Sequence, residues 1–171
     1  MVPFQLLWAK RVQLVMRWVT VDRQDACLNR PNFFTMNEAG EWLIVDSNNL
    51  RIRKVDSNDI ITTVAGGGTM TGDAPATQVK LNNPQSIAFT SSGEMLVADY
   101  GKKAIRKMDQ SGFMKVIAGS GSKSPSSDHP IPAKSASIQP RVVAYARDGI
   151  VIGDDRGYIF TLSNRTKCYG V

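Results

Sequence analysis

Short apolar runs alternate with turn residues along most of the chain. The clearest set is Ser86–Phe89, Met95–Ala98, Ala104–Met108 and Phe113–Ala118. Each gap between these runs contains Gly together with Ser or Asp, and Gly accepts a positive φ without steric cost, so the gaps predict tight turns. Four short runs joined by tight turns predict one small antiparallel sheet of four strands. We find no amphipathic helical pattern between Leu28 and Leu162.

This pattern repeats at a nearly fixed spacing. Pro31 and Pro84 start two copies that are 53 residues apart without a gap, and Pro140 starts a third copy 56 residues further on. A period near 50 residues with four strands per repeat predicts β-propeller blades, not a helical solenoid. The pattern stops after Leu162, so we expect two nearly complete blades and about half of a third.

We therefore predict an all-β fold of four-stranded antiparallel blades, between two and a half and three in number, in an incomplete ring. The predicted division is a non-repeat segment at 1–25, a first blade at 26–80, a second at 81–136 and a partial third at 137–171. The positions that recur in each copy, and that we expect to hold the blades together, are Pro31, Asp46, Gly66, Pro84, Asp99, Gly119, Pro140 and Asp155.

Three segments resemble NHL repeats: Asp46–Asp56, Ile61–Gly66 and Gly72–Thr77. The form they resemble is the long NHL repeat with a Gly-Asp-Gly-Gly-Pro-Ala-Thr connector, over residues 28–162. The second copy departs from the pattern at Lys102 and Ala104, and the third has Phe160–Leu162 in place of the basic third strand. The resemblance implies a propeller that binds a protein or another ligand on a loop-bearing face.

Closed propellers typically have four to eight blades, so the predicted blades do not complete a ring. We expect completion by further blades or by self-association. Residues 1–25 lack the repeat pattern. The possible codons of Trp18–Gln24 can spell Gly-Asp-Gly-Gly-Pro-Ala in a shifted frame, close to where the repeat requires the connector, so a mis-framed N-terminal segment is one hypothesis.

The chain has a formal net charge of +6 and 42% hydrophobic residues, which excludes an intrinsically disordered composition. The N-terminal apolar run is too short to span a membrane, and the basic pair Lys10-Arg11 follows it, whereas a secretory signal has its charges first.

The cysteines Cys27 and Cys168 lack CxxC spacing, and free thiols in a reducing compartment fit them better than a disulfide. The compartment is not determined, with the cytoplasm slightly favoured.

Basic residues are concentrated in and before the third strands. This predicted basic surface consists of Arg51, Arg53, Lys54, Lys102, Lys103, Arg106 and Lys107. Some NHL propellers bind RNA through basic surfaces, so nucleic acid is one candidate partner, although basic residues on outer strands more often form a solvated face that prevents edge pairing.

Enzyme chemistry has weaker support in the sequence. A zinc site of the amidating-lyase type needs several His ligands, and His129 is the single histidine of the chain. The recurrent Asp residues could hold a metal as in lactonase-like propellers, or they could cap turns and pair with Arg51 or Arg106, which we favour. In the third copy either Asp154 or Asp155 fills this position.

We predict no catalytic residues, no cofactor and no metal. We expect a non-enzymatic binding scaffold with an unidentified protein partner; the alternatives are an RNA-binding surface, a metal-dependent lyase or lactonase-like hydrolase, and a truncated copy without independent function.

Overall fold

The structure is a computed structural model that describes residues 28–123, 131–146, 149–163 and 167–170. The non-repeat segment 1–25, Cys27 and His129 lie outside the described residues, so the predictions made for them stay predictions.

The described residues form three antiparallel sheets in chain order. The first contains β1 (Pro31–Met36), β2 (Trp42–Asp46), β3 (Arg51–Val55) and β4 (Ile61–Gly66). A linker strand β5 (Ala74–Pro75) precedes β6 (Pro84–Phe89), β7 (Met95–Asp99), β8 (Ala104–Met108) and β9 (Phe113–Gly119) of the second sheet. A second linker strand, β10 (Ile131–Pro132), precedes β11 (Pro140–Ala146), β12 (Gly149–Asp154), β13 (Ile159–Ser163) and β14 (Lys167–Gly170) of the third. One-turn 3₁₀ helices lie at Ala76–Gln78 (η1), Tyr100–Lys102 (η2) and Ala133–Ser135 (η3).

The all-β prediction of two and a half to three blades is confirmed. The third copy forms four strands of its own, β11 to β14, with the linker strand β10 at the outer edge of the sheet. Phe160 and Leu162 of β13 point to the same side as Ile152 and Ile150, their partners on β12, and all four side chains are buried. Cys168 of β14 lies opposite Leu162 and is also buried. Within the described residues, apolar positions of β12, β13 and β14 are therefore buried on one side of the sheet as far as Cys168, even though the recognisable repeat motifs have been lost.

The sheets stack in sequence like the blades of a propeller. The first strands β1, β6 and β11 contact one another from blade to blade, whereas the outer strands β4 and β9 contact the linker helices η1 and η3. The inner edges therefore converge and the outer edges are held apart, which defines the axis side and the rim. One apolar core lies between blades 1 and 2, and another lies between blades 2 and 3.

Each linker belongs to the blade that follows it. β5 pairs with the outer strand β9 of the second sheet, and β10 pairs with β14 of the third. The second and third blades therefore each take a fifth strand from the linker before them, a linker that the predicted division assigns to the preceding blade. Apolar linker side chains fill the gap between blades 1 and 2; they are Ala74, Ala76, Val79 and Leu81, all at most 3% exposed.

The recurrent Gly at the end of the fourth strand is explained by crowding. Gly66 and Gly119 have φ of +81° and +86°. A Cβ atom would lie 2.2 Å from the Leu50 carbonyl oxygen at Gly66, and 2.2 Å from the Lys103 carbonyl oxygen at Gly119. Both the positive φ and the close backbone approach require Gly at these positions.

Candidate functional site

The recurrent Asp residues are buried parts of the blades. Asp46 and Asp99 are at most 1% exposed, and Asp154 is 8% exposed. Each carboxylate accepts a hydrogen bond from a linker N–H, from Asn29 at 2.7 Å for Asp46 and from Asn82 at 2.8 Å for Asp99. These bonds tie the linker to the end of the second strand, so the carboxylates hold the blade together and are not available to a ligand.

Asp154, and not the predicted Asp155, fills this position in the third blade. Pro140 lies opposite Asp154 in the sheet, as Pro31 lies opposite Asp46. The third copy is one residue shorter at the first turn, because Gly149 is followed directly by a strand residue, whereas Gly40 and Gly93 are each followed by Glu. This deletion moves the buried carboxylate one position earlier and leaves Asp155 exposed.

A guanidinium group neutralises the buried carboxylate in two of the blades. Arg106 Nε donates to Asp99 Oδ2 at 2.9 Å, with 1% and 0% of the two side chains exposed, and Arg106 also donates to the Thr71 carbonyl. Burial raises the pKa of Asp99, against the hydrogen bonds from Asn82 and Arg106. In the third blade Phe160 takes the place of Arg106, and Arg156 supplies the guanidinium instead.

Arg156 reaches the carboxylate from the turn after β12. Its Nε donates to Asp154 Oδ1 at 2.8 Å, and its Nη2 donates to the Ser137 carbonyl. Burial raises the pKa of Asp154, but the hydrogen bonds from Arg156 and Gln139 outweigh it, so the pKa lies below its ordinary value. In the first blade, Asn49 Nδ2 donates to Asp46 Oδ2 at 2.9 Å.

The predicted basic surface is not one continuous surface. Arg53 and Arg106 are 7% and 1% exposed, so neither presents its charge to a large ligand. Lys54 and Lys107 are near the far end of their strands and pair with turn carboxylates, Lys54 with Glu41 at 2.7 Å. The other three residues of the set lie at the opposite end of the third strands; they are Arg51, Lys102 and Lys103.

Polar side chains lie instead beside the recurrent Pro and Asp positions of each blade, and most of them are exposed or half-buried. The residue after Pro and the residue after the buried Asp vary from blade to blade. We call this set the inner row; it consists of Asn32 and Ser47, Gln85 and Tyr100, and Arg141 and Asp155. All but Ser47 are exposed or half-buried. They lie at the start of the innermost strand and the end of the second strand, on the axis side of the blades.

Hydrogen bonds connect the inner row between the first two blades. Ser47 Oγ donates to Asn32 Oδ1 at 2.7 Å, and Asn32 Nδ2 donates to Gln85 Oε1 at 3.0 Å across the blade boundary. Gln85 Nε2 in turn donates to Asn83 Oδ1 at 2.7 Å. The amide groups of this part of the row are therefore held in fixed orientations by their neighbours.

A charged group connects the inner row between the second and third blades. Arg141 Nε donates to Asp155 Oδ1 at 2.6 Å, and Tyr100 OH donates to Asp155 Oδ2 at 2.8 Å. The Arg141 guanidinium lies 4.8 Å from the centroid of the Tyr100 ring, within cation–π range. The hydrogen bonds from Arg141 and Tyr100 lower the pKa of Asp155, and the bond to Asp155 raises the pKa of Tyr100. At neutral pH the row thus presents a carboxylate, a phenol and a guanidinium.

A second candidate lies between blades 2 and 3, toward the rim. A shallow cleft of about 290 Å³ is lined by three lysines, Lys107, Lys115 and Lys134. Lys115 and Lys134 are exposed, and neither belongs to the predicted basic surface. Sequence spacing could not find this cleft, because Lys115 is on a fourth strand and Lys134 is in a linker helix of the next blade.

The described residues show neither a cluster of metal ligands nor a membrane-spanning helix. Within these ranges no three His, Cys, Asp or Glu side chains converge as metal ligands would. The described residues also include no helix with the length and apolar character of a membrane span.

Neither a protein-family model nor a curated protein matches the chain. Solved structures do match it. Virginiamycin B lyase from Staphylococcus aureus matches with a TM-score of 0.58 at 14% identity, over 88% of this chain and 42% of that chain. An auxiliary nutrient binding protein from Bacteroides ovatus matches with a TM-score of 0.55 at 16% identity, over 81% and 37%. A Bacteroides thetaiotaomicron protein of unknown function matches with a TM-score of 0.55 at 16% identity, over 75% and 32%.

These likenesses show the fold alone, which is that of β-propeller blades. The described blades do not close a ring. The chain spans between 32% and 42% of the length of these three solved structures.

Proposed function

We propose that the chain supplies NHL-type blades to a propeller that binds a protein or another ligand without catalysis, and that the inner row is the contact surface. One observation carries this proposal. At one edge of the three sheets the recurrent Asp residues are buried. The polar residues that follow the recurrent Pro and Asp differ in each blade, and all but Ser47 are exposed or half-buried. A rigid frame with variable exposed positions is typical of binding surfaces.

The chemistry of the inner row favours a polar ligand. Its side chains offer amide, hydroxyl, carboxylate and guanidinium groups, and Tyr100 adds an aromatic face. Because neighbouring residues hold several of these groups in place, little side-chain entropy is lost on binding. The nutrient-binding protein among the similar structures is consistent with a binding role, whereas the lyase keeps an enzymatic role open, so the contact surface itself must be tested.

The test begins with selection of ligands on the whole chain, using a random-peptide display library and a glycan array as probes. Affinities of the selected probes are then measured by calorimetry for wild type, Gln85→Ala and Arg141→Ala. The matched control is Glu38→Ala, an exposed residue in the turn at the other end of β1. We expect both inner-row variants to weaken binding and the control to leave it unchanged. Probes that bind all four proteins equally would refute the proposed surface.

The second candidate function is binding of RNA at the lysine cleft. The observation that favours it is the exposed pair Lys115 and Lys134 on facing elements of two blades. Such binding weakens steeply with salt, because phosphate contacts release counterions. Filter binding of single-stranded RNA should therefore fall with added salt and fall further in Lys115→Ala and Lys134→Ala, whereas Arg106→Ala should act only through folding. RNA affinity that is insensitive to salt and to both lysines would exclude this function.

A further inference from the structure

The turns at the two ends of the sheets carry opposite charge. We call the end at which each first strand begins the proline end, and the sheet register places the recurrent Asp residues there as well. In blades 1 and 2 this end also includes the three residues before each Pro, the turn after each second strand and the first residue of each third strand. These positions include no acidic residue and four basic ones, all exposed or half-buried, which are Arg30, Arg51, Lys102 and Lys103.

The turns at the opposite end are acidic. In blades 1 and 2 they are the turns after the first and third strands, and they contain no basic residue and six acidic ones, which are Glu38, Glu41, Asp56, Asp59, Glu94 and Asp109. At the proline end, by contrast, Asp46 and Asp99 are buried. A charge distribution of this kind attracts an anion to the proline end and repels it from the opposite turns.

The guanidinium of Arg141 is held in place at the proline end. Its partner Asp155 is fixed on both sides, because its N–H donates to the Gln139 carbonyl at 2.9 Å and its Oδ2 accepts from Tyr100. The Arg141 side chain is nevertheless 50% exposed. Since the bond to Asp155 uses Nε, the two Nη groups are left to donate to a ligand.

A guanidinium presented in this way fits a carboxylate, because two parallel N–H donors match the two carboxylate oxygens. A nucleic acid is a poorer match. It needs an aromatic face on which a base can stack, and Arg141 lies over the ring of Tyr100, the aromatic residue of the inner row. The neighbouring amide side chains, Asn32 and Gln85, suit a peptide backbone, which both donates and accepts hydrogen bonds.

Resting on the proposed contact surface, we propose that the inner row binds an acidic peptide segment of a partner protein. One Glu or Asp carboxylate of that segment accepts hydrogen bonds from the two Nη groups of Arg141. The basic residues of the proline end attract the remaining acidic side chains, and the acidic turns disfavour binding at the opposite end. This arrangement sets both the ligand class and the end of the blades at which the ligand binds.

The test measures fluorescence anisotropy of a labelled peptide of six Glu residues with the whole chain, and a peptide of six Gln residues is the matched probe. We expect the Glu peptide to bind more tightly and its affinity to fall with added salt. Arg141→Gln and Arg141→Lys should each weaken binding about ten-fold, because an ammonium group keeps the charge but not the paired donors. Lys115→Gln is the control outside the proline end, and it should bind as wild type does.

Three outcomes would overturn the inference. They are equal binding of the Glu and Gln peptides, wild-type affinity in Arg141→Lys, and an equal loss in Lys115→Gln, which would move the site to the lysine cleft. Tighter, Arg141-dependent binding of single-stranded oligouridylate would also overturn it, in favour of RNA. Neutral selected probes that still lose affinity in Gln85→Ala would overturn the acidic ligand while leaving the inner row as the contact surface, so the two proposals can fail separately.

Discussion

The buried pair of Arg106 and Asp99 makes a sharp prediction about stability. Replacing Arg106 with Met leaves the Asp99 carboxylate fully buried without its cation and removes a donor from the Thr71 carbonyl. Breaking a buried pair by removing one partner typically costs about 3–5 kcal/mol. The matched control is Arg141→Met, because the Arg141–Asp155 pair is 50% and 30% exposed. An exposed pair of this kind contributes little to stability, because solvent screens it.

The assay is urea unfolding followed by circular dichroism at one fixed protein concentration. We expect Arg106→Met to lower the midpoint far more than Arg141→Met. We also expect Asp99→Asn/Arg106→Met to recover much of the loss, since the neutral amide can still accept from the Asn82 N–H. Phe160 occupies the Arg106 position of the third blade, which shows that an apolar side chain fits there. Equal midpoints for Arg106→Met and Arg141→Met would refute the reasoning, as would a double variant no better than the single one.

Three further predictions concern single positions. Gly119→Ala should destabilise more than Gly112→Ala, measured by thermal unfolding; both have positive φ, but a Cβ meets the Lys103 carbonyl oxygen only at Gly119, and equal effects would contradict this. Burial raises the pKa of the Cys168 thiol to about 11, so peptide-level mass spectrometry should find it alkylated at pH 8 only after unfolding, and rapid native labelling would contradict its burial. The pKa of Asp154 is lower in the folded protein than its value of about 3.9 in the unfolded chain. The carboxylate therefore adds stability above the unfolded pKa, and this stability is lost as pH falls through the folded pKa. Asp154→Asn should flatten the acid side of a plot of unfolding free energy against pH, and an unchanged slope would exclude this.

Much of the fold follows from the sequence because backbone geometry and repeat spacing constrain it together. The 53-residue offset places Pro31 and Pro84 at the starts of inner strands, and the turn glycines separate the strands. The third blade is harder to recognise in the sequence, because its motifs change while its burial pattern does not. The salt bridge of Glu41 with Lys54 recurs as Glu94 with Lys107, and the third copy lacks both partners of that bridge. A search for charged motifs therefore misses a strand that only its apolar alternation reveals.

The candidate site was less predictable. Arg53 and Arg106 were predicted as part of a basic surface because of their charge. Their burial depends on which face of the strand packs against a neighbouring blade, and a single sequence does not assign that face. The inner row had a signal in the sequence that could have been used. Asn32, Gln85 and Arg141 differ in chemistry directly after an invariant Pro, and variation beside a fixed structural residue marks an exposed position.

The linker strands also affect how the protein folds during synthesis. β5 leaves the ribosome before the blade whose rim it completes, so the last strand of that blade, β9, finds a backbone partner already present. β10 provides the same for β14. An outer strand that waits unpaired is a template for wrong pairing with another chain. The outer strands of the second and third blades therefore each have a backbone partner that is synthesised before them.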